Sequence, residues 1–449
     1  MDIQQVGEEG SGMNDAGCVL FLVVAEPERY LYERLAEVVR SVGVSARCFT
    51  WIQSLVGANV ELLPRTSTLG LADAEGEASR VLGKAGYADL SMAADGDRDW
   101  KFASRKSKSS HVLRLFVALS RVLDEATPNL IVTSVGGETP RVVLEALARE
   151  RGIELAIYNA IPVPGRYVLL RAMSAPFIPY PDENTSHRPV TTSYPSRVPD
   201  GRLGQPPGRL SLRRGLLRVR SQLSADFSYP HGGVSRKVAN GVARAYYRAL
   251  PSSSSPMRVS AEEVSVLYPL HDEHDFQVAV REAHALPQEA FLRYVCEHVG
   301  PGVRVFVKPH PEHLVAHHAS RWRSLTSLPN VTFLSPDVPA KDALEAVDVV
   351  LTLASSMGYE ALALHKPVVC YGSPFYSRRG ATVDVGDLRE LPARIREAAA
   401  WTVNSDTVDS LVGDVRDWSW PGRFTPLERS AENVHALSMG LIDILKGAK

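Results

Sequence analysis

Cysteine is scarce. Four residues in 449, Cys18, Cys48, Cys296 and Cys370, are scattered without a C-x-x-C pair, which argues against a disulfide framework or a thiolate metal site. Each has an apolar neighbour, so reduced, buried thiols are expected. Long hydrophobic runs are also missing: nothing approaches the roughly 20 consecutive apolar residues that span a bilayer. The first 17 residues (MDIQQVGEEGSGMNDAG) lack the basic start and apolar core of a signal peptide and read as a disordered tail, so the chain is expected to be cytoplasmic. A net charge of -1 supplies no global basic field, which sets nucleic acid aside as a partner. What is present, 45% hydrophobic and 22% charged residues, is ordinary for a globular chain whose length suits two domains.

The order of apolar patterns suggests how those domains are built. CVLFLVVA (Cys18 to Ala25) is a continuous apolar run suited to a strand buried on both faces, followed by a helical pattern from Glu28 to Val42 and a strand at Ser45 to Thr50. Further on come a helix at His111 to Glu125, the strand Leu130 to Ser134, a Gly136-Gly137 turn, the helix Pro140 to Arg151 and the strand Glu154 to Tyr158. From Val264 the alternation restarts: strands at Val264 to Tyr268, Val303 to Val307, Val331 to Leu334, Val347 to Leu353 and Pro367 to Tyr371, with helices between them. A final helical run, Pro426 to Leu445, is expected to cross back to the first domain. The predicted domains are therefore a tail at 1–17, a Rossmann-like domain at 18–180, a linker with helices at 181–256, a second Rossmann-like domain at 257–425 and the returning helix at 426–449; in a GT-B arrangement the first would be the acceptor side and the second would hold the nucleotide-sugar. Neither domain carries a Gly-x-Gly-x-x-Gly turn, which points away from a dehydrogenase. The fold class expected is α/β, two doubly wound Rossmann-like domains facing a cleft, as in GT-B glycosyltransferases.

In the linker, Leu212, Leu216, Leu217 and Leu223 form a stripe beside Arg213, Arg214, Arg218 and Arg220. The first reading is a packed helix with a solvated basic face, the second a helix lying on an anionic membrane surface, which would bring the protein to the inner face of the membrane.

Ligands of open α/β sheets sit beyond the carboxyl ends of the strands, so the residues just after each strand carry the information. VRVFV is followed by Lys308, Pro309, His310 and Pro311, where the prolines stiffen a loop presenting a cation and an imidazole. VDVVLTL is followed by Ala354, Ser355 and Ser356, which open a helix containing Gly358 and Glu360. A helix start offers free N–H groups to a phosphate, Ser356 reads as the capping residue, Gly358 as a place for close ligand approach, and Glu360 as a carboxylate for ribose. The plain alternative is a rigid turn and an ordinary cap. The stretch HDEHD (His271 to Asp275) reads as a metal site, a catalytic carboxylate or a solvated turn; strand alternation would put His271, Glu273 and Asp275 on one side.

YPLHDEHDFQ, FVKPHPEH and LTLASSMGYEALALHKPVVCYGSPFYSRRG, taken in that order, resemble the capsule polysaccharide synthesis family, which includes the KpsC and KpsS type β-Kdo transferases. The match covers about 120 residues of the second domain. The resemblance implies a GT-B enzyme that transfers Kdo or a related ulosonic acid from a CMP-sugar to a surface-glycan or glycolipid acceptor, with retention. It implies nucleotide-sugar binding by Lys308, His310, Pro311, Ser355, Ser356, Gly358 and Glu360. The family's Gln-x-x-x-Asp motif falls on His271 to Asp275, with His in the Gln position, which makes Asp275 the expected catalytic carboxylate and His271 its orienting or proton-shuttling partner. Glu138, in GGE after a strand, is a further acid or base candidate, and Arg166 a contact for the acceptor or the donor carboxylate. A single phosphate met by Lys308, His310 and a helix start needs no metal, and no cofactor is expected. The rival readings are a CDP-glycerol-type polyol-phosphate transferase and a non-catalytic nucleotide- or glycan-binding subunit.

Overall fold

The computed structural model describes residues 17–64, 71–97, 99–100, 103–173, 177, 179–180, 262–271, 275–282, 286–310, 322, 324–425 and 428–447, with 242 and 245. The tail at 1–16, the basic stripe at 212–223, Asp272 to His274 and Pro311 lie outside them.

The first half runs β1 (Cys18–Leu22), α1 (Glu26–Ser41), β2 (Ser45–Thr50), β3 (Val60–Leu62), α2 (Leu71–Lys84), α3 (Arg105–Ala126), β4 (Leu130–Ser134), α4 (Thr139–Arg151), β5 (Glu154–Ala160) and β6 (Arg166–Leu170). The second runs β7 (Val264–Pro269), a π-helical turn (Gln277–Arg281), α5 (Gln288–His298), β8 (Val303–Lys308), β9 (Val331–Phe333), α6 (Ala340–Glu345), β10 (Val349–Thr352), α7 (Ser356–Ala363), β11 (Val368–Cys370), β12 (Val383–Asp384), α8 (Leu391–Ala400) and α9 (Ser405–Asp417). Then come β13 (Trp420–Pro421) and α10 (Ala431–Gly447). The chain divides into two compact units: the first takes the described residues up to 180 and from Arg416 onward, the second those from 242 to Val415.

Each unit is a doubly wound α/β layer. In the first the strand order is β13-β6-β5-β4-β1-β2-β3, in the second β12-β11-β10-β7-β8-β9. All pairs are parallel except β5 with β6 and β6 with β13. The apolar runs explain this: β1 and β4 are buried on both faces because helices cover both sides of a parallel sheet. The chain reverses its winding direction between β1 and β4 in the first unit and between β7 and β10 in the second, and such switch points open a crevice at the strands' carboxyl ends.

The C-terminal helix is part of the first core. The hydroxyls of Tyr158 and Tyr167, buried on β5 and β6, both donate to the Leu437 carbonyl of α10, at 2.8 and 2.9 Å. The helix begins at Ala431 rather than Pro426. Arg166 is not a ligand contact: it is 6% exposed, with Nε donating to Ser419 Oγ at 2.6 Å and Nη2 to the Arg416 carbonyl at 2.8 Å. Its guanidinium ties β6 to the returning chain, because a buried cation needs several acceptors and these carbonyls supply them. All four cysteines are free; Cys48 and Cys296 are pushed up to about 12 by burial, which keeps them as inert thiols.

Candidate functional site

The second unit's switch point gathers most of the sequence-predicted residues. Lys308 is not in the loop after β8 but is the last residue of the strand, 5% exposed. Its Nζ donates to the Val338 carbonyl at 2.8 Å, and desolvation lowers its pKa to about 8. A buried ammonium with one carbonyl partner keeps two N–H donors, and an anion would relieve its desolvation. His310 follows, exposed at the strand end.

His271 occupies the step from β7 to β10. Its backbone N–H donates to Gln288 Oε1 at 2.8 Å and its carbonyl accepts from Gln288 Nε2 at 2.9 Å, so the amide of α5 grips it on both sides. Nε2 accepts the Ala354 N–H at 3.1 Å, which leaves the neutral ring's proton on Nδ1. That atom is buried with no hydrogen-bond partner among the described residues. Desolvation, helped by the nearby His310, lowers the His271 pKa to about 4. Burial thus favours the neutral imidazole, and with Nε2 committed to the Ala354 N–H only Nδ1–H is left for the orienting or proton-shuttling role expected from the sequence.

A stability consequence follows. A histidine held at about 4 against an ordinary 6.5 contributes stability that is fully present above pH 6.5 and is lost as pH falls toward 4, because the unfolded chain binds the proton first. His271→Gln is expected to flatten the acid limb of the unfolding free energy between pH 6.5 and 4, by about 3 kcal/mol at the acid end. Urea unfolding at stepped pH measures it; an unchanged limb would remove His271 as its source. His111, also lowered to about 4 by burial, adds to the same limb in both proteins. Glu360 opposes it, since burial raises its carboxyl to about 7, and the stability it gives below pH 4.5 is lost as pH rises through 7.

Asp275 does not continue the strand, which ends at Pro269, so the two-sided alternation expected for HDEHD does not hold. Its Oδ1 accepts the Gln277 N–H at 2.9 Å and its carbonyl accepts from Val278 and Ala279, which makes it the start of the Gln277–Arg281 turn. No group of three His, Cys, Asp or Glu arranged to hold a metal occurs among the described residues, which omit three of the five HDEHD positions.

At β10 the capping residue is Ser355, not Ser356: its Oγ accepts the Met357 N–H at 3.2 Å, while Ser356 is the first helical residue and exposed. Thr352 Oγ1 holds the Ser355 N–H at 2.9 Å. Gly358 does not admit a ligand. A Cβ there would overlap the Tyr376 hydroxyl, which donates to the Ser355 carbonyl. The glycine exists so that this tyrosine can lie on the helix start. Glu360 lies one turn further, with Oε2 buried and without a hydrogen-bond partner among the described residues. Two residues that sequence reading missed hold the frame: Tyr376, and Glu282, which is 2% exposed and receives the Ser373 N–H at 2.5 Å. Neither follows a strand directly, so position gave no signal.

Glu138 lies in the first unit, at the carboxyl edge of β4. Its Oε2 accepts from Arg141 Nη1 at 2.7 Å and its side chain is 38% exposed.

Among the described residues no helix is long and apolar enough to cross a membrane. Residues 233–400 match the family described as capsule polysaccharide biosynthesis protein. The chain is 35% identical over 98 residues to the lipopolysaccharide-processing protein LpsZ of Rhizobium meliloti, covering 22% of this chain and 21% of that one. It is 27% identical over 157 residues to the capsule polysaccharide modification protein LipA of Neisseria meningitidis serogroup B, covering 33% of this chain and 21% of the relative. The aligned part is thus about a fifth of the length of the curated relatives it matches. Among solved structures, the Thermosulfurimonas dismutans KpsC β-Kdo 2,4 transferase is 17% identical, with 70% of this chain and 87% of that chain covered and a TM-score of 0.36. Residues 233–400, the stretch that matches the capsule polysaccharide biosynthesis family, hold Lys308, His271 and the Ser355 helix start.

Proposed function

We propose that this protein is a glycosyltransferase of surface-polysaccharide assembly that takes a CMP-activated acidic sugar, Kdo or a related ulosonic acid, and transfers it with retention to a saccharide or glycolipid acceptor. The observation that carries the reading is the pairing, at one switch point, of a buried ammonium and a helix start: Lys308 beside β7, and Ser355 and Ser356 at the head of α7, where an anion is favoured. The family segment and the printed roles of LipA and LpsZ in capsule and lipopolysaccharide work support the same class.

In this reading the CMP phosphate takes the open donors of Lys308 and the N–H and hydroxyl of Ser356 at the head of α7, with His310 at the same strand end. Glu360, whose carboxyl burial raises to about 7, presents acceptor oxygens to the ribose and, in its protonated fraction, a hydroxyl donor. The Asp275 carboxylate attacks the anomeric carbon as the bond to the CMP oxygen breaks, and the acceptor hydroxyl, giving up its proton to solvent, then displaces the carboxylate, so two inversions give retention. The positive potential is supplied by the chain itself, so turnover is expected to survive EDTA.

Thermal shift with CMP, CDP, UMP and UDP, each with EDTA present, tests the reading. CMP at a hundred times its Kd should stabilise by about 2.7 kcal/mol. Lys308→Ala should weaken CMP binding by about 1.5–3 kcal/mol, the range for a charge-assisted hydrogen bond. The apo protein should lose little, since removing the ammonium also removes its desolvation cost. A preference for UDP, or a Lys308→Ala protein that binds CMP normally, would overturn the assignment; a CDP preference would favour the polyol-phosphate class.

A further inference from the structure

The first unit has its own switch point, between β1 and β4, and a charged cluster sits at it. Glu28, in the first turn of α1, accepts the Val24 N–H at 3.0 Å through Oε2. Its Oε1 accepts from the Ser134 hydroxyl and from Arg141 Nη2, the latter at 2.5 Å. Arg141, 4% exposed, also donates through Nη1 to the Val135 carbonyl at 3.0 Å and to Glu138 Oε2 at 2.7 Å. The start of α4 is already filled by the protein's own anion: Asp97 Oδ2 accepts from Thr139 N and Oγ1 at 2.8 and 2.7 Å.

Three details make this more than an internal ion pair. The Gly136-Gly137 turn is cut to the cluster: a Cβ on Gly136 would overlap both Arg141 Nη1 and Glu138 Oε2, and one on Gly137 would meet the Gly96 carbonyl at 2.5 Å. Arg141 Nε is buried with no hydrogen-bond partner among the described residues, so the cluster is incomplete as it stands. Glu138, unlike Glu28, reaches solvent, and Arg141 takes only one of its oxygens. Within the cluster two carboxylates, Glu28 and Glu138, share one guanidinium, and a third, Asp97, caps the neighbouring helix start.

We propose that this cluster is a saccharide subsite that takes an uncharged, polyhydroxylated ring, with Glu138 accepting hydrogen bonds from the ring hydroxyls and Arg141 as the positioning residue. An ion-paired carboxylate is an acceptor, which suits hydroxyl donors, and the excess negative charge at the edge disfavours a carboxylated ring. That the ring belongs to the acceptor rests on the glycosyltransferase reading above; the chemistry of the subsite does not.

Saturation-transfer NMR on the full chain tests it, with methyl gluco-, galacto- and mannopyranosides, each as the neutral sugar and as its 6-uronate. At least one neutral ring should give signal several-fold above its uronate. Glu138→Gln, which keeps an acceptor oxygen but removes the charge, should bring that ratio close to one. Glu138→Ala and Gly136→Ala, the latter keeping every charge but displacing the carboxylate, should each cut the neutral signal at least tenfold. A uronate bound as well as its neutral partner, a ratio that Glu138→Gln leaves unchanged, or no signal from any ring would overturn the proposal. CMP thermal shift on the same samples separates the two readings. Loss of CMP binding with the neutral preference intact removes the donor assignment alone, and CMP binding without the preference removes the subsite alone.

Discussion

Asp275→Asn is expected to fold and to bind CMP but to transfer sugar only at a small residual rate. The substitution is chosen because Asp275 has a structural duty as well as the proposed chemical one: its Oδ1 holds the Gln277 N–H at 2.9 Å at the head of the π-helical turn. Asparagine caps about as well as aspartate, so the turn survives while the nucleophilic charge is lost. Turnover should fall by about three orders of magnitude, ~4 kcal/mol of barrier. Asp275→Ala would lose the cap as well, roughly 1 kcal/mol of stability, and so mixes two effects. CMP release from donor with acceptor present measures the loss, and intact-mass spectrometry of the wild type mixed with donor alone looks for the sugar adduct. Near-normal turnover in Asp275→Asn would end the assignment, and Glu273 would become the next carboxylate to replace.

Arg141→Met has the largest expected effect on stability. It removes the guanidinium from a cluster in which the Glu28 side chain is 14% exposed, and leaves that carboxylate, among the described residues, with Ser134 and one backbone N–H. Breaking a buried pair from one side costs about 3–5 kcal/mol, because the remaining charge has lost its partner and has no water. The double variant Glu28→Gln with Arg141→Met should recover much of that loss, since it takes out both charges together. Urea unfolding of the three proteins decides it: a single variant within 1 kcal/mol of wild type, or a double variant no better than the single, would show that the pair carries little.

Much of the frame could be read from the chain. Continuous apolar runs such as CVLFL mark strands covered on both faces, and their alternation with helical patterns predicts two parallel, doubly wound layers, which is how both units are built apart from the antiparallel β6 and β13 at the edge of the first. Short elements escaped. β3 and β13, of three and two residues, are too brief to show a period, and β13 pairs antiparallel with β6, whose residues lie some 250 positions earlier. The adjacent serines after β10 read equally well as caps, and only the backbone turn selects Ser355.

The sequence by itself determined the secondary-structure alternation, the fold class and the segment where a serine-capped helix start follows a strand, because each depends on local pattern: apolar period, a turn, a cap. The tertiary structure alone decided what those residues do. Lys308 became a buried strand residue, His271 a neutral latch onto the Ala354 N–H, Gly358 a seat for Tyr376, and Arg166 a clamp on the returning chain. It also joined Glu28 to Arg141 across 113 residues and shaped Gly136 around them. The reason is physical: burial, ion pairing and the space left beside a glycine are set by neighbours distant in the chain, and no local pattern encodes which neighbours those will be.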